Sequence, residues 1–466
     1  MISNRAGRTT PALLPSPSPS PAADAPRSAG LRYGLLFGPA VFGVTAAGVA
    51  LPEVASDLAA STSAATWVLT AHALALGIGT ALFGRLADSR GLRPSLLAGS
   101  FLLLVGTVLC LVAPGLGALV TGRFVLAAGS GAMVSGALAL TASSAPAQRA
   151  RVLAGFGATM AVFSAGATLA GGALTQWLTW RLTLVLPALS LLAVPLCLRA
   201  ASTRRGSGRA LDLPGAALLT VTAASFLLLV QTPALRPSAA VVVALAALLF
   251  LAGAGLARRI RSVPGSFVPL RLIADGVFLR AAVVGVGVYA GLFAAVYAVP
   301  QVLVRAHGWD VLAVGLWLLP GAVIGAGLSR VAGKLAPGAG GSRLLAVTAL
   351  VTAVAMAASA ARPGPALLIV GASLGFGAFA VVQVVATALL SARVEPALRG
   401  GAMGLLNLTF FVGGAVGSAA AGALAQVWSP STALGVLAGF PLVAGLVAIT
   451  LAPQSGQASR TLTVER

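Results

Sequence analysis

A few ionisable side chains interrupt long apolar stretches of this sequence, and such groups could exchange protons. His72 lies in WVLTAHALA, and an imidazole titrates near neutral pH when it is unperturbed. Arg123 lies in TGRFVLAAGSGA, and Glu53 follows Pro52 at the end of another apolar stretch. Ionisable residues at membrane depth are costly and commonly mark a pathway for ions or substrates. We therefore predict that His72, Arg123 and Glu53 form a proton-coupling site.

Each of these residues also has a purely structural interpretation. His72 could be a neutral hydrogen-bonding group between two helices, and Glu53 could be an interfacial residue in water. Arg123 could extend its long side chain to the nearer surface of the membrane. Otherwise Arg123 must face a partner or a wet cavity, because an unpaired buried arginine is expensive.

The segment GRLADSRGLRP, residues 84–94, follows the second apolar stretch and concentrates charge beside glycine. A carboxylate at a helix C-terminus is unfavourable against the helix dipole, so Asp88 is expected to have cationic partners among the nearby arginines. Glycine permits a close backbone approach and a tight turn. The functional interpretation is a charged latch that breaks and reforms when the protein changes conformation. The predicted gating residues are Gly84, Arg85, Asp88, Arg90, Gly91 and Arg93. The alternative is a solvated loop whose charges only set the topology.

Uncharged polar and aromatic residues interrupt the apolar stretches in the C-terminal part of the chain. Amide and phenol groups could orient a mostly apolar solute that aromatic rings contact. The predicted substrate cavity is lined by Gln383, Asn407, Tyr289, Tyr297 and Phe411. Each of them could instead be a packing or interfacial residue. The sequence shows no phosphate-binding loop, metal-ligand cluster or nucleophile constellation, so we predict no enzyme, no cofactor and no metal.

The composition decides which elements must position these residues. The chain has 466 residues, of which 58% are hydrophobic and only 8% are charged, with a mean hydropathy of +1.00. Soluble proteins carry about 25% charged residues. A soluble enzyme and a nucleic-acid-binding protein are therefore excluded. Because lipid offers no partner for open backbone groups, we predict an all-α integral membrane protein.

A membrane-spanning helix needs roughly 20 mostly apolar residues. The sequence predicts fourteen such transmembrane helices: 33–54, 65–87, 95–113, 117–141, 150–174, 182–199, 213–231, 238–257, 277–300, 311–333, 343–360, 365–391, 400–426 and 432–452. Most of the 30 Lys and Arg residues fall on the side of the two tails. Positive loops face the cytoplasm, so both termini are predicted to be cytoplasmic.

Short matches recur in the same order in the two parts of the chain. GRLA at 84–87 matches GKLA at 333–336, and PAQR at 146–149 matches PALR at 396–399. We therefore predict two pseudo-symmetric six-helix bundles plus an inserted two-helix pair that faces lipid. The predicted parts are a disordered cytoplasmic tail (1–32), an N-terminal bundle (33–199), a linker with two extra transmembrane helices (200–276), a C-terminal bundle (277–452) and a cytoplasmic tail (453–466).

GRLADSRGLRP resembles the loop signature of the major facilitator superfamily. VALP (49–52), WVLTAHALA (67–75), LDLPGAALL (211–219) and SFVPLRL (266–272) are similar to the fourteen-helix drug:proton antiporter branch of that family. The resemblance covers about residues 33–452. It implies a transporter whose binding site lies between two repeats near mid-membrane, and a role for Arg123 in proton coupling or substrate binding.

The sequence departs from this branch at three places. The acidic residue that the branch often carries midway along the first span falls near Gly43 here. His72 stands where the branch usually has tyrosine. Ala167-Thr168 replaces the Gly-Pro that usually precedes the glycine pair at Gly171-Gly172.

These observations predict a secondary active transporter that exports hydrophobic or amphipathic small molecules, such as drugs or secondary metabolites, with proton coupling. Abundant Ala and Gly with a single Lys suggest a bacterial plasma membrane. The predicted partners are a small-molecule substrate, protons and the lipid bilayer, with no nucleic acid, and the protein is predicted to be a monomer. The alternatives are uptake or facilitated diffusion of a small metabolite, or a non-transporting membrane receptor on the same fold.

Overall fold

The computed structural model describes residues 26–144, 146–202, 206–208, 210–232, 237–263, 265–336, 338–362, 364–394 and 399–451. In those residues fourteen helices are long and apolar enough to cross a membrane, which confirms the predicted number. The helices are α1 (Ser28–Asp57), α2 (Thr62–Arg90), α3 (Leu92–Val112), α4 (Leu116–Ala142), α5 (Gly155–Trp177), α6 (Trp180–Ser202), α7 (Leu213–Val230), α8 (Ala239–Ser262), α9 (Gly276–His307), α10 (Val311–Leu335), α11 (Ala339–Ala361), α12 (Pro365–Arg393), α13 (Gly401–Leu424) and α14 (Pro430–Ile449).

The first helix begins earlier than the sequence predicts. Helical structure starts at Pro26, so residues 26–32, assigned above to a disordered tail, are helical. Proline suits the first turn of a helix because its missing N–H has no intrahelical partner there. The rest of the predicted N-terminal tail, 1–25, and the C-terminal tail, 453–466, lie outside the described residues.

Helix α1 is interrupted in its middle. A 3₁₀ turn covers Gly38–Gly43 and includes Pro39, and α-helical structure resumes at Thr45. Proline has no N–H to donate and its ring crowds the preceding turn, which explains the break. The interruption places Gly43 at the end of the 3₁₀ turn, where its carbonyl is used by a side chain from another helix.

The two six-helix bundles repeat one pattern of helix pairing. In the N-terminal half, α2 and α3 both pack on α4, and α1 packs on α5. In the C-terminal half, α10 and α11 both pack on α12, and α9 packs on α13. Each pair in the second half is a pair of the first half with both helix numbers raised by eight. This recurrence agrees with the predicted pseudo-symmetric arrangement.

The longest seam between the halves runs along α2 and α13. Gly422 packs against Thr66 at one end of the seam, and Gly401 packs against Arg85 at the other. Gly77 on α2 packs near the middle against Leu408 and Phe411 of α13. Glycine lets helix backbones approach closely, which is the usual way in which membrane helices gain contact area.

Two further seams join the halves, one between α1 and α9 and one between α5 and α10. Both are packed near one face of the bundle. We call the face at which the described chain begins and ends the terminal face, and the other the opposite face. Near the opposite face, Gly48 of α1 packs on Val296 of α9, and Gly172 of α5 packs on Leu312 of α10. Gly157 of α5, nearer the terminal face, is exposed, and none of the described atoms lies within 4 Å of a Cβ built there. The described conformation is therefore closed at the opposite face.

The inserted helices α7 and α8 differ in their surroundings. Only 6% of the apolar window of α8 is buried, so α8 faces outward as predicted. Helix α7 instead lies against α2 and α13. At its end Gln231 donates to Thr70 Oγ1 at 3.3 Å, and Thr70 lies 2.9 Å from the Ser418 hydroxyl across the seam. With 17% of its apolar window buried, α7 is in contact with the bundle on one side only.

Candidate functional site

Arg123 is fully buried in the N-terminal half and joins three other helices. Its guanidinium donates to the carbonyl of Leu184 on α6 at 2.6 Å and to that of Val68 on α2 at 3.5 Å. It also donates to the Gly43 carbonyl at the interruption of α1. With 0% exposure, the side chain does not extend to the membrane surface. Backbone carbonyl dipoles, rather than carboxylate oxygens, are its hydrogen-bond acceptors.

His72 lies beside the same point of α1. A Cβ built on Gly43 would collide with the His72 Nε2 atom, so the imidazole fills the space next to that glycine. His72 is completely buried, and neither ring nitrogen has a hydrogen-bond partner within the described part of the chain. The structure therefore does not support the interpretation of His72 as a hydrogen-bonding group between helices.

Glu53 lies apart from these two residues. It is an exposed residue of α1 and, at ~1.5 Å per residue, lies roughly 15 Å along the helix from Gly43. It lines a cavity of about 570 Å³ at the opposite face, together with Ser56 and Arg305. The structure thus brings His72 and Arg123 together at Gly43 and places Glu53 at the mouth of the adjacent cavity.

A second polar group lies in the C-terminal half and links α9, α12 and α13. The Tyr289 hydroxyl donates to Gln383 Oε1 at 2.7 Å, and Gln383 Nε2 donates to Asn407 Oδ1 at 3.3 Å. Asn407 in turn donates to the Met403 carbonyl at 3.0 Å. Three of the predicted cavity residues therefore form one hydrogen-bonded chain, which we call the amide chain.

Aromatic rings surround Tyr289. The ring centroids of four phenylalanines lie within 4.7 to 6.1 Å of its own: Phe379, Phe410, Phe411 and Phe293. Three of these, Phe293, Phe379 and Phe410, are absent from the predicted lining of the cavity. Helical spacing could have identified two of them, because residues four apart lie on the same face of a helix. Phe293 follows Tyr289 by four residues, and Phe379 precedes Gln383 by four. The cluster offers planar apolar surface next to the amide chain.

Tyr297 lies in a different place from Tyr289, although both are on α9. Its hydroxyl donates to the Thr62 carbonyl at 3.3 Å, and Arg305 donates to the Thr62 hydroxyl at 2.6 Å. Gln301 lies between them on the same helix face, is 2% exposed, and has no partner for either amide atom among the described residues. Tyr297 and Gln301 therefore lie on the helix face that closes the opposite end of the bundle.

The predicted gating segment forms the turn between α2 and α3. Gly91 has φ 102°, a conformation that glycine adopts without a steric penalty. Gly84 is buried, and Arg90 and Arg93 are exposed. The carbonyls of Asp88 and Ser89 accept from the N–H groups of Ser207 and Gly208, at 2.8 and 2.9 Å. The end of α2 is thus bound by the segment that precedes α7.

Arg85 of the same segment binds the chain that follows α8. Its guanidinium donates to the Phe267 carbonyl at 2.7 Å and to the Ser266 carbonyl at 3.4 Å. The Arg85 Cζ atom also lies 5.8 Å from the Phe267 ring centroid. These acceptors were not foreseen, because the charge pattern predicts an interaction between Asp88 and the arginines of the segment itself.

Asp212, which the sequence analysis did not single out, holds this region together. It caps α7 by accepting from the Gly215 N–H at 2.9 Å, and it also accepts from Arg259 at 2.6 Å and from the Phe267 N–H at 2.8 Å. Burial alone would raise the pKa of Asp212, but these hydrogen bonds and the charge of Arg259 outweigh it and hold that pKa below its ordinary value.

Several known proteins have sequences similar to this chain. The chain is 30% identical over 399 residues to the puromycin resistance protein pur8 of Streptomyces alboniger, a match that covers 80% of this chain and 77% of that protein. It is 33% identical over 187 residues to the uncharacterized MFS-type transporter EfpA of Mycobacterium tuberculosis, covering 39% of this chain and 35% of EfpA. The efflux pump dotC of Dothistroma septosporum is 31% identical over 134 residues, 28% of this chain and 23% of dotC.

The fold is also similar to a solved structure. The crystal structure of the human organic anion transporter MFSD10 (TETRAN) matches with a TM-score of 0.61 at 16% identity, covering 91% of this chain and 99% of that one. Residues 34–381 match the family model of the Major Facilitator Superfamily. The repeated helix pairing, the segment between α2 and α3 and these matches lead to one assignment: this chain belongs to the major facilitator superfamily of membrane transporters.

Proposed function

We propose that this transporter exports hydrophobic or amphipathic small molecules from a bacterial cell, driven by protons that enter in exchange. Two of its relatives are named for puromycin resistance and for efflux, which supports export. The duplicated bundle supports a mechanism of alternating access, in which a site between the halves opens to one face at a time.

The observation that carries the proposal is the packing of the two halves against each other at the opposite face. The α1–α9 and α5–α10 seams are packed near that face, and the α2–α13 seam is packed at both of its ends. We assign the terminal face to the cytoplasm, because most Arg residues between spans lie on that side. Both termini are then cytoplasmic, and the conformation is one that is closed to the outside. A monomer suffices for this cycle.

The substrate site that we propose lies in the C-terminal half. Tyr289, Gln383 and Asn407 supply hydrogen-bonding groups, and Phe411 and its neighbouring rings supply apolar surface. A planar or amphipathic solute can satisfy both kinds of surface at once. Tyr297 belongs to this pathway as a group that is uncovered when the opposite face opens.

The proton site that we propose is His72 beside Arg123. A proton on His72 would place a second positive charge next to a fully buried guanidinium that donates to three backbone carbonyls. Such a state is costly in a low-dielectric interior, so protonation of His72 would bias the conformational equilibrium. Glu53, at the mouth of the outer cavity, would pass protons from outside toward it. The proton taken up from outside would then reset the transporter to the inward-facing state, from which the proton leaves to the cytoplasm.

The gating segment would work as a latch on the cytoplasmic side. Arg85 lies where α2 meets α13, and Gly91 fixes the turn that follows. In this proposal Asp88, Arg90, Arg93 and Gly84 belong to the same latch, whose contacts change as the halves rock.

The deciding experiment measures dye accumulation in cells with and without the protein, each with and without an uncoupler. Export coupled to protons predicts lower accumulation in expressing cells and recovery of accumulation when the uncoupler is added. Higher accumulation in expressing cells would contradict export and favour uptake. Equal accumulation of every dye and drug tested would favour a non-transporting receptor. An Arg123→Ala variant at matched protein level is the control for indirect effects of expression.

A further inference from the structure

We propose that Asp212 is a positioning residue for the cytoplasmic gate: through the chain that follows α8, it holds Arg85 at the end of the α2–α13 seam. The inserted pair α7–α8 then belongs to the transport machinery through its two connecting segments. The part of this inference that concerns turnover rests on the proposed function, and the part that concerns the contacts does not.

Asp212 first joins both ends of the inserted pair. Its Oδ1 atom accepts from the Gly215 N–H in the first turn of α7 and from Arg259 in the last turns of α8. The carboxylate is well shielded, with 7% of its side chain exposed. Hydrogen bonds that involve a charged group are about twice as strong as neutral ones. The ends of α7 and α8 are therefore fixed relative to each other on this face.

The same carboxylate fixes the chain beyond α8. Its Oδ2 atom accepts from the Phe267 N–H at 2.8 Å, while the carbonyl of Phe267 accepts from Arg85 at 2.7 Å. Phe267 is 4% exposed, and its ring lies beside the Arg85 guanidinium. A single residue thus links Asp212 to Arg85, and a shift of Phe267 would remove the principal acceptor of Arg85.

Arg85 in turn occupies the junction between the two halves. A Cβ built on Gly401, at the start of α13, would lie 3.0 Å from Arg85 Nε. There is little free space between this side chain and α13, so movement of α13 away from α2 must change the packing of Arg85. The position of Arg85 is therefore coupled to the opening of the seam.

The connection that precedes α7 binds the same end of α2. The N–H groups of Ser207 and Gly208 donate to the carbonyls of Asp88 and Ser89, which lie in the last turn of that helix. Carbonyls at a helix C-terminus have no intrahelical partners, so the linker supplies them. Both connections of the inserted pair therefore hold the gating segment, although almost no residue of α8 is fully buried.

A labelling experiment tests the contacts. Ser266 is 3% exposed, so a cysteine placed there, in a protein whose Cys110 and Cys197 are replaced by alanine, should react slowly with a water-soluble maleimide. Asp212→Ala should speed the reaction by at least about tenfold, because it removes several charge-assisted hydrogen bonds. Unchanged protection of the cysteine would overturn the proposal.

Asp275 offers a matched control. It caps α9 on the same face by accepting from Val277 and Phe278 at 2.7 and 2.9 Å, but it does not bind Phe267. Asp275→Ala should leave the labelling of the cysteine at position 266 unchanged. Faster labelling in this variant would mean that any lost helix cap exposes position 266. If Asp212→Ala cannot be purified as a folded protein, Asp212→Asn replaces it, with a smaller acceleration of labelling expected.

A double-mutant cycle tests the role in transport, with ethidium export from proteoliposomes as the assay. Asp212→Ala should lower kcat at unchanged KM in the wild-type background and should cause no further loss in an Arg85→Ala background. Losses that multiply in the double variant would overturn the positioning role. A wild-type protein that exports none of a panel of dyes would instead contradict the proposed function, and the labelling experiment would still decide the contacts.

Discussion

The imidazole of His72 occupies the space that a side chain at position 43 would need, because a Cβ on Gly43 would collide with Nε2. The resemblance to the antiporter branch places an acidic residue near this point of α1. Here a ring from α2 fills the volume instead, and Arg123 uses the backbone carbonyl of the glycine. Any side chain introduced at position 43 would therefore compete with His72 for the same volume.

Gly43→Ala should destabilise the protein by about 1–3 kcal/mol, which is typical of overpacking a buried site. The melting temperature of the purified protein would measure the loss. The same change should cost much less in a His72→Ala background, since the truncated side chain vacates the colliding atoms. Gly157→Ala is the control, because its Cβ meets open space and the change should be neutral. Equal losses for Gly43→Ala with and without His72→Ala would contradict the shared volume.

Arg123→Lys should reduce export more than tenfold while the protein still folds. A lysine keeps the charge but lacks the planar fork of donors, so it cannot reach carbonyls on α1, α2 and α6 together. Initial rates of dye export report the change. Arg181→Lys is the control variant, because Arg181 lies at the opposite face and donates to the Ala113 carbonyl at 2.8 Å. This variant should retain most of the export activity. Comparable export by both lysine variants would argue against a special role for Arg123.

Tyr289→Phe should weaken dye binding by roughly three- to tenfold, the equivalent of one hydrogen bond. The change keeps the aromatic ring but leaves Gln383 Oε1 without its donor. Fluorescence titration of the purified protein with ethidium gives the dissociation constant. Tyr297→Phe should leave that constant unchanged, because its hydroxyl binds Thr62 at the closed face. If Tyr297→Phe weakens binding as strongly, the site does not lie at the amide chain.

Gln301→Leu should stabilise the conformation that is closed at the opposite face. Both amide atoms of Gln301 are buried and have no partner among the described residues, and an unsatisfied buried polar group costs about 1–3 kcal/mol. The variant should melt at a higher temperature and turn over more slowly, because opening no longer relieves that cost. Gln231→Leu is the contrast, since Gln231 Nε2 bonds Thr70 and its loss should destabilise. A lower melting temperature for Gln301→Leu would refute this account.

The link through Asp212 should be insensitive to pH over the physiological range. The pKa of Asp212 is lowered in the folded protein, so its contribution to stability is complete above the unfolded value of about 3.9 and fades as pH falls through the folded value. Hydrogen exchange at the Phe267 amide, corrected for its intrinsic pH dependence, should stay protected between about pH 5 and 8. Protection lost near pH 6 would show that another group controls the contact.

Hydropathy alone predicted the helices of this protein, and short repeated segments predicted its two halves. Both succeed because lipid forces the backbone into helices and because duplication preserves local sequence. The partners of individual side chains were harder to foresee. Tyr289 and Tyr297 share one helix and one apolar context, yet one faces α12 and α13 while the other faces Thr62 of α2. Periodicity assigns a face and carries no information on which neighbour covers that face at each depth.

The acceptors of Arg85 illustrate a second limit. Charge patterns in a sequence direct attention to carboxylates, whereas Arg85 binds backbone carbonyls 181 and 182 residues further along the chain. Arg123 likewise binds three carbonyls from three helices. Every residue has a carbonyl, so no residue type marks such an acceptor, and only the path of the backbone shows where it lies.

The scarcity of fully buried residues in α8 has an evolutionary consequence. Lipid tails distinguish poorly between one aliphatic side chain and another. A helix with 6% of its apolar window buried is therefore constrained mainly in its length and its hydrophobicity. Substitutions that conserve these two properties should be nearly neutral. Across related chains, α8 should therefore diverge fastest, while the short connections at its base change slowly.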